Sequence, residues 1–251
     1  MAWLESGRGW PVILLHGFPL TADTWRPQLD AVPDGWRFIA PHLRGFGSGP
    51  PVQAPMSVAD YAADVLALLD ALALDDAVIG GLSMGGYVTF AMHRAAPARF
   101  TRMILADTRA EADTPQGREA RMQMRELVAR AGAAGVAAQM LPKLLSPAAP
   151  AETVAFVRRT IESASPPAID AALGALMDRP DSTPELARIS CPVLLTVGDA
   201  DAITPPADAE RMHAAIARAS LAVIRDAGHL ANLEQPAAFS RALADFLASA
   251  L

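Results

Sequence analysis

A doubly wound, mostly parallel α/β sheet carrying a helical insertion is the fold class predicted by three features of this 251-residue chain. Short apolar runs recur almost without alternation, as strands buried on both faces of a parallel sheet should. Stretches of helical period separate them, and strands alternating with helices build a sheet covered on both sides. From residue 110 to residue 180 the alternation stops and only helix-like sequence is found.

The strand candidates, in order, are "PVILLHG", "RFIAPHL", "DAVIGGLS", "RMILADT", "CPVLLTVG" and "LAVIRDAGH". Between the second and third, "SVADYAADVLALLDALAL" places Val58, Tyr61, Val65, Leu68, Leu69 and Leu72 on one stripe, and Ser57 with Asp60 forms a capping box at its start. The segment from Ala207 to Ala219 and the final "QPAAFSRALADFLASAL" read the same way. The stretch from Ala110 to Pro180 is rich in Ala, Met, Arg and Glu, with breaks near Gly132, Pro142, Pro147 to Pro150 and Pro166-Pro167. It reads as several helices inserted between two strands. The expected organisation is a core of residues 1–109 and 181–251 with a cap of residues 110–180. Helices inserted at the carboxyl edge of an open sheet lie where ligands bind.

With 52% hydrophobic and 19% charged residues, the chain is too apolar for a disordered polypeptide. A net charge of −6 without any run of Lys or Arg leaves no footprint for nucleic acid or an anionic membrane, so small molecules are the expected partners. The single cysteine, Cys191, excludes an intrachain disulfide and a cysteine zinc cluster, and it reads as a small buried hydrophobe. The N-terminal stretch has no basic leader or small-residue cleavage site, and no run approaches a membrane span. A soluble, cytoplasmic protein is therefore the expectation.

Chemistry concentrates at "IGGLSMGGYV", where Gly81, Ser83 and Gly85, with Gly86 next, stand between a strand and a helix. Glycines two positions before and after the serine permit a very tight strand-to-helix turn that pushes the hydroxyl out at the top of the sheet. The following helix aims its N-terminal amides at the same spot. The bland alternative is a glycine-rich turn with a capping serine.

Serine is a weak nucleophile without a base. Of His16, His42, His93, His213 and His229, His93 falls inside a helix and His213 in an amphipathic one. His229 ends a strand, in "DAGHLANLEQP", where Gly228 and a loop leave the imidazole free to reach across the sheet edge. An acid should hold that imidazole in one tautomer. Asp199 and Asp201 in "VGDADAITPP" are both placed for this, Asp107 is a third candidate, and periodicity does not choose among them. Donors for a developing oxyanion are expected from the amide of Met84 and, in "HGFPL", from the amide of Phe18.

At these residues the chain resembles the α/β-hydrolase superfamily, particularly the group holding 3-oxoadipate enol-lactonases, cofactor-free haloperoxidases (perhydrolases) and carboxylesterases. The similar stretches are "HGFPLTADTW", "PHLRGFGSG", "GLSMGGYV", "LADT", "PVLLTVGDADAITPP" and "GHLANLEQP". The resemblance implies the α/β-hydrolase fold, a triad of Ser83, Asp201 and His229 in that chain order, oxyanion donors at Phe18 and Met84, and a helical cap. It chooses Asp201 through Gly198, Asp201 and Pro205, which match the pattern G-x-x-D-x-x-x-P. Where relatives commonly read Pro-Asp-x-Arg-Gly-His-Gly, this chain has Pro41, His42, Leu43, Arg44, Gly45, Phe46 and Gly47. Only "AWLE" is available for a strand before "PVILL", so one or two of the edge strands usual in the family are expected to be missing.

The implied activity is hydrolysis of small carboxylic esters or lactones through an acyl-enzyme, with no metal or organic cofactor. C–C bond (β-diketone) hydrolysis or perhydrolysis by the same triad, and a non-catalytic ligand-binding protein, are the alternatives. For the substrate pocket, Trp25, Leu82 and Leu230 flank site residues, and Met122, Met124, Met140, Leu144 and Leu145 are cap candidates. Residues 110–180 carry eight Arg or Lys against eight Asp or Glu, so the sequence shows no net sign favouring a charged substrate.

Overall fold

In the computed structural model, which describes residues 1–249, seven strands form one sheet in the order β1-β3-β2-β4-β5-β6-β7. They are β1 (Trp3–Gly7), β2 (Trp10–Leu15), β3 (Trp36–Pro41), β4 (Ala77–Leu82), β5 (Phe100–Ala106), β6 (Val193–Gly198) and β7 (Ala219–Ile224). All neighbours are parallel except β1, which runs antiparallel to β3. Nine α-helices accompany them among the described residues: α1 (Arg26–Leu29), α2 (Val58–Ala71), α3 (Met84–Ala95), α4 (Pro115–Leu144), α5 (Ala151–Glu162), α6 (Pro166–Met177), α7 (Pro206–Ala215), α8 (Ala231–Glu234) and α9 (Pro236–Ala248). The last two residues of the expected final helix lie outside the described residues.

The central strands are as dry as their sequence requires. Every residue of β4 and β6 is buried, because helices cover both faces. β7 departs from this: as an edge strand it leaves Val223 45% exposed. The other edge of the sheet carries a strand outside the apolar runs read from the sequence. Trp3–Gly7 pairs with β3, and its exposed and part-buried residues alternate because one face alone is covered.

α2 starts at the expected capping box. The Ser57 hydroxyl accepts the Asp60 amide while the Asp60 carboxylate accepts the Ser57 amide at 2.8 Å. Its stripe of Val58, Tyr61, Val65, Leu68 and Leu69 is buried on the sheet side.

Three helices stand between β5 and β6. Thr114 caps α4, whose interior turns at Gly132 with φ +61°, a conformation open to glycine. Pro150 precedes α5, and Ser165 caps α6 ahead of Pro166 and Pro167, whose missing N–H groups are unneeded in a first turn. α4 packs on both α5 and α6. The insertion is tied to the sheet's carboxyl edge, since the Ser182 amide donates to Ala110 at 2.9 Å and the Leu230 amide to Leu144 at 3.2 Å.

The chain leaves β2 for β3 on one side and returns to β4 on the other, so the switch point lies between β2 and β4. Leu15 pairs with Gly81 there, and the loops bearing Phe18 and Ser83 leave side by side. Replacing Ser57 by Ala should cost about 1 kcal/mol of unfolding free energy in urea titrations, the usual value of an N-cap.

Candidate active site

Ser83 sits between β4 and α3 with φ 54° and ψ −112°, a strained conformation for a residue with a side chain. The flanking glycines make the turn possible: a Cβ on Gly81 would overlap the Gly85 backbone, and one on Gly85 would overlap the Leu15 carbonyl. The turn is pinned by the Ser83 amide donating to Ala106 at 2.9 Å and by the Thr108 hydroxyl donating to the Ser83 carbonyl at 2.9 Å. Ser83 remains partly exposed while its neighbours are buried.

Phe18 follows Gly17, whose α-carbon faces Ser83 so closely that an added Cβ would lie 3.4 Å from the serine Cβ. Met84 is the first residue of α3, so its amide has no acceptor inside the helix. Among the described residues neither amide donates to a protein acceptor.

Of the three candidate aspartates, Asp201 is the one that meets His229. Asp201 Oδ2 lies 2.8 Å from His229 Nδ1 and accepts the Thr204 hydroxyl at 2.7 Å. Its Oδ1 accepts the amides of Ile203 and Thr204 at 2.8 and 2.9 Å. Asp199 instead accepts the Ala227 amide at 3.3 Å, and Asp107 accepts the Gly198 amide at 2.9 Å. Burial pushes the Asp201 carboxyl up, but the His229 hydrogen bond and charge and the Thr204 contacts outweigh it and hold the group below the usual carboxylate range. The imidazole that donates Nδ1–H to this carboxylate keeps Nε2 as an acceptor. No hydrogen bond joins the Ser83 hydroxyl to His229 among the described residues, and such bonds commonly tighten only with substrate in place.

The other histidines have different duties. His16 is fully buried, donates Nδ1–H to the Gly17 carbonyl at 2.9 Å and accepts the Leu43 amide on Nε2 at 3.0 Å. It therefore braces the Phe18 loop, and burial lowers its pKa to about 4. His42 accepts the Ala22 amide, His93 packs edge-on against Phe100, and His213 is exposed.

A family model described as "Alpha/beta hydrolase family" matches residues 12–242. The chain belongs to this family. It is 31% identical to 3-oxoadipate enol-lactonase 1 of Acinetobacter baylyi over 90% of this chain and 84% of that one. Among solved structures it is similar to a thermophilic esterase from Thermogutta terrifontis, solved malate-bound, with 40% identity, a TM-score of 0.95, and 98% and 92% of the two chains covered. It is also similar to the enol-lactonase from Burkholderia xenovorans, at 25% identity and a TM-score of 0.88 over 99% and 96%.

A cavity of about 360 Å³ opens beside the site, walled by Phe18, Tyr87, Ile203 and the inner faces of α4 and α6. Of the pocket residues proposed from sequence, Met124 and Met140 line it. The others do not. Trp25 is fully buried against Phe239, Leu82 lies under Gly17, and Leu144, Leu145 and Leu230 are packed where the insertion meets the core. Met122 is 52% exposed on α4, because the helix turns that position outward.

Two contributors had no motif of their own. Thr204 completes the Asp201 cradle. The Glu234 carboxylate accepts the Gly228 amide at 2.8 Å and the Ser146 amide at 2.9 Å, clamping the His229 loop to the end of α4. The GH-to-E spacing in "GHLANLEQP" was the available signal, but nothing in it indicated the partner 88 residues earlier.

The His16 environment has a measurable consequence. Its folded pKa of about 4 lies below the ordinary histidine value, so between these two values the unfolded chain binds the extra proton. Stability is full above about pH 6.5 and should fall by about 3 kcal/mol toward pH 4 from this residue. Denaturant titrations of the wild type and His16→Gln across this range should show a shallower slope in the variant.

Proposed function

We propose that the protein is a serine hydrolase of small carboxylic esters or lactones. The observation that carries this reading is the buried Asp201–His229 pair, braced by Thr204, at the same sheet edge as a strained, part-exposed Ser83. In this reading His229 Nε2 takes the Ser83 proton as the hydroxyl oxygen attacks the acyl carbon. The carbonyl oxygen becomes an oxyanion held by the Phe18 and Met84 amides. His229 then delivers the proton to the leaving alcohol. A water molecule deprotonated by the same imidazole hydrolyses the acyl-enzyme and regenerates Ser83. Asp201 stays ionised throughout and stabilises the imidazolium.

Residues 110–180 act as a cap in this scheme. Their helices wall the cavity that the acyl group would enter, and the Glu234 clamp fixes that wall to the His229 loop.

The purified protein should hydrolyse short p-nitrophenyl esters and react covalently with a fluorophosphonate probe at Ser83. Ser83→Ala should abolish both while keeping the far-UV circular dichroism of the wild type. Retained turnover in that variant would reject the serine mechanism, and an inert Ser83 in the wild type would leave a ligand-binding protein. Asp201→Asn should lower kcat by about a thousandfold to ten-thousandfold, since the imidazole would be held in the wrong tautomer.

A further inference from the structure

The cavity walled by Phe18, Tyr87 and Ile203 is charged in a way that the composition of the insertion does not show. Arg109, Arg121, Lys143 and Arg179 line it, with Asp113 as the only carboxylate among its walls. Folding has turned the cations inward, while other acids of the insertion pair elsewhere, Asp170 with Arg125 and Asp178 with Arg118.

The four cations are not equally compensated. Arg109 pairs with the buried Asp208 at 3.0 Å, and Asp208 and Glu111 also pair with Arg211, so that group is neutral as a set. Arg179 and Arg121 both bond to Asp113, and one carboxylate cannot neutralise two guanidiniums. Arg179 is the anchored member. It is buried, stacks 4.2 Å from the Tyr87 ring centroid, and donates to Asp113 at 2.6 Å and to the Leu176 and Glu111 carbonyls. Arg121 uses Nε and Nη2 on Asp113, and its Nη1 makes no hydrogen bond among the described residues. Lys143 is exposed and forms no ion pair among the described residues. The wall is therefore one negative charge short at Arg121, and Lys143 adds a second cation.

We propose that this cavity binds a carboxylate on the substrate, so that the preferred esters or lactones carry a free carboxylate on the acyl part, anchored by Arg121 and Lys143. Arg179 is a positioning residue that fixes Asp113 and so holds Arg121 in place. This assignment rests on the serine hydrolase reading for its reaction, but the anion site itself does not. A carboxylate suits the planar guanidinium fork, and a charge-assisted hydrogen bond in a part-buried cavity is strong enough to set specificity. A cavity of about 360 Å³ is within the range that takes small ligands.

The test compares mono(p-nitrophenyl) glutarate with neutral p-nitrophenyl pentanoate. The wild type should show a kcat/KM about 10- to 100-fold higher for the anionic ester, the range expected of charged hydrogen bonds. Arg121→Gln should bring that ratio close to one, mainly through KM. Arg121→Lys should keep part of it, and Lys143→Gln, at an exposed position where folding is not at stake, should lower it. In parallel, glutarate should bind Ser83→Ala protein in isothermal titration calorimetry, and Arg121→Gln in that background should weaken binding about tenfold or more. Equal kcat/KM for the two esters in the wild type, equal losses for both in Arg121→Gln, or binding of inorganic phosphate as tight as that of glutarate would each overturn the carboxylate site. Cleavage of neither ester alongside Arg121-dependent glutarate binding would reject the hydrolase reading and keep the anion site. Cleavage of both without discrimination would do the reverse.

Discussion

The bond between Asp201 and His229 is the interaction on which the rest of the site depends. At 2.8 Å and almost out of solvent, it selects one tautomer of the imidazole and leaves the other nitrogen available as a base. A buried carboxylate is costly unless its lone pairs are used. Asp201 uses them on His229, the Thr204 hydroxyl and two loop amides, so the loop after β6 folds around the acid it carries. The strand order then determines where this pair can act, because β6 and β7 end at the same edge as β4 and its serine turn.

Three buried carboxyl groups, Asp107, Asp201 and Glu234, crowd this edge, and their hydrogen-bond partners differ. Asp107 is pushed well above the ordinary carboxylate range by burial first and by the charge of Asp201 second, against the Gly198 amide that favours ionisation. Its Oδ2 has no hydrogen-bond partner among the described residues, which a neutral carboxyl tolerates better than an ion would. Asp201 stays low because its donors outnumber those of Asp107. Glu234 lies close enough to raise Asp107 as well, and its two amide partners join the helical insertion to the loop of His229. The wall of the cavity and the candidate base are thus held by one side chain.

Much of this was legible before folding because it is local. A glycine pattern fits one kind of tight turn, Ser57 and Asp60 cap the helix they precede, and unbroken apolar runs read as central strands. β1 was missed since an edge strand buried on one side carries a weak signal: its five residues include one glutamate, one serine and one glycine. The pocket residues were harder for a related reason. Proximity in sequence to Ser83 or His229 put Leu82 and Leu230 in the packed interior rather than on the cavity wall, and rotation about α4 separates outward Met122 from inward Met140.

Sequence alone determined the parallel sheet, the serine turn and the order of the candidate triad, since each follows from residues a few positions apart obeying a backbone period or a steric limit. Tertiary structure decided which aspartate meets His229, because Asp199, Asp201 and Asp107 differ only in the direction their loops take across the sheet edge. It also decided the sign of the cavity. Eight cations and eight acids balance along residues 110–180, but folding turns Arg121, Lys143 and Arg179 toward the cavity that Phe18 and Ile203 wall and several acids away from it. Charge composition is a sum over the chain, whereas a ligand meets only the charges on the wall it touches.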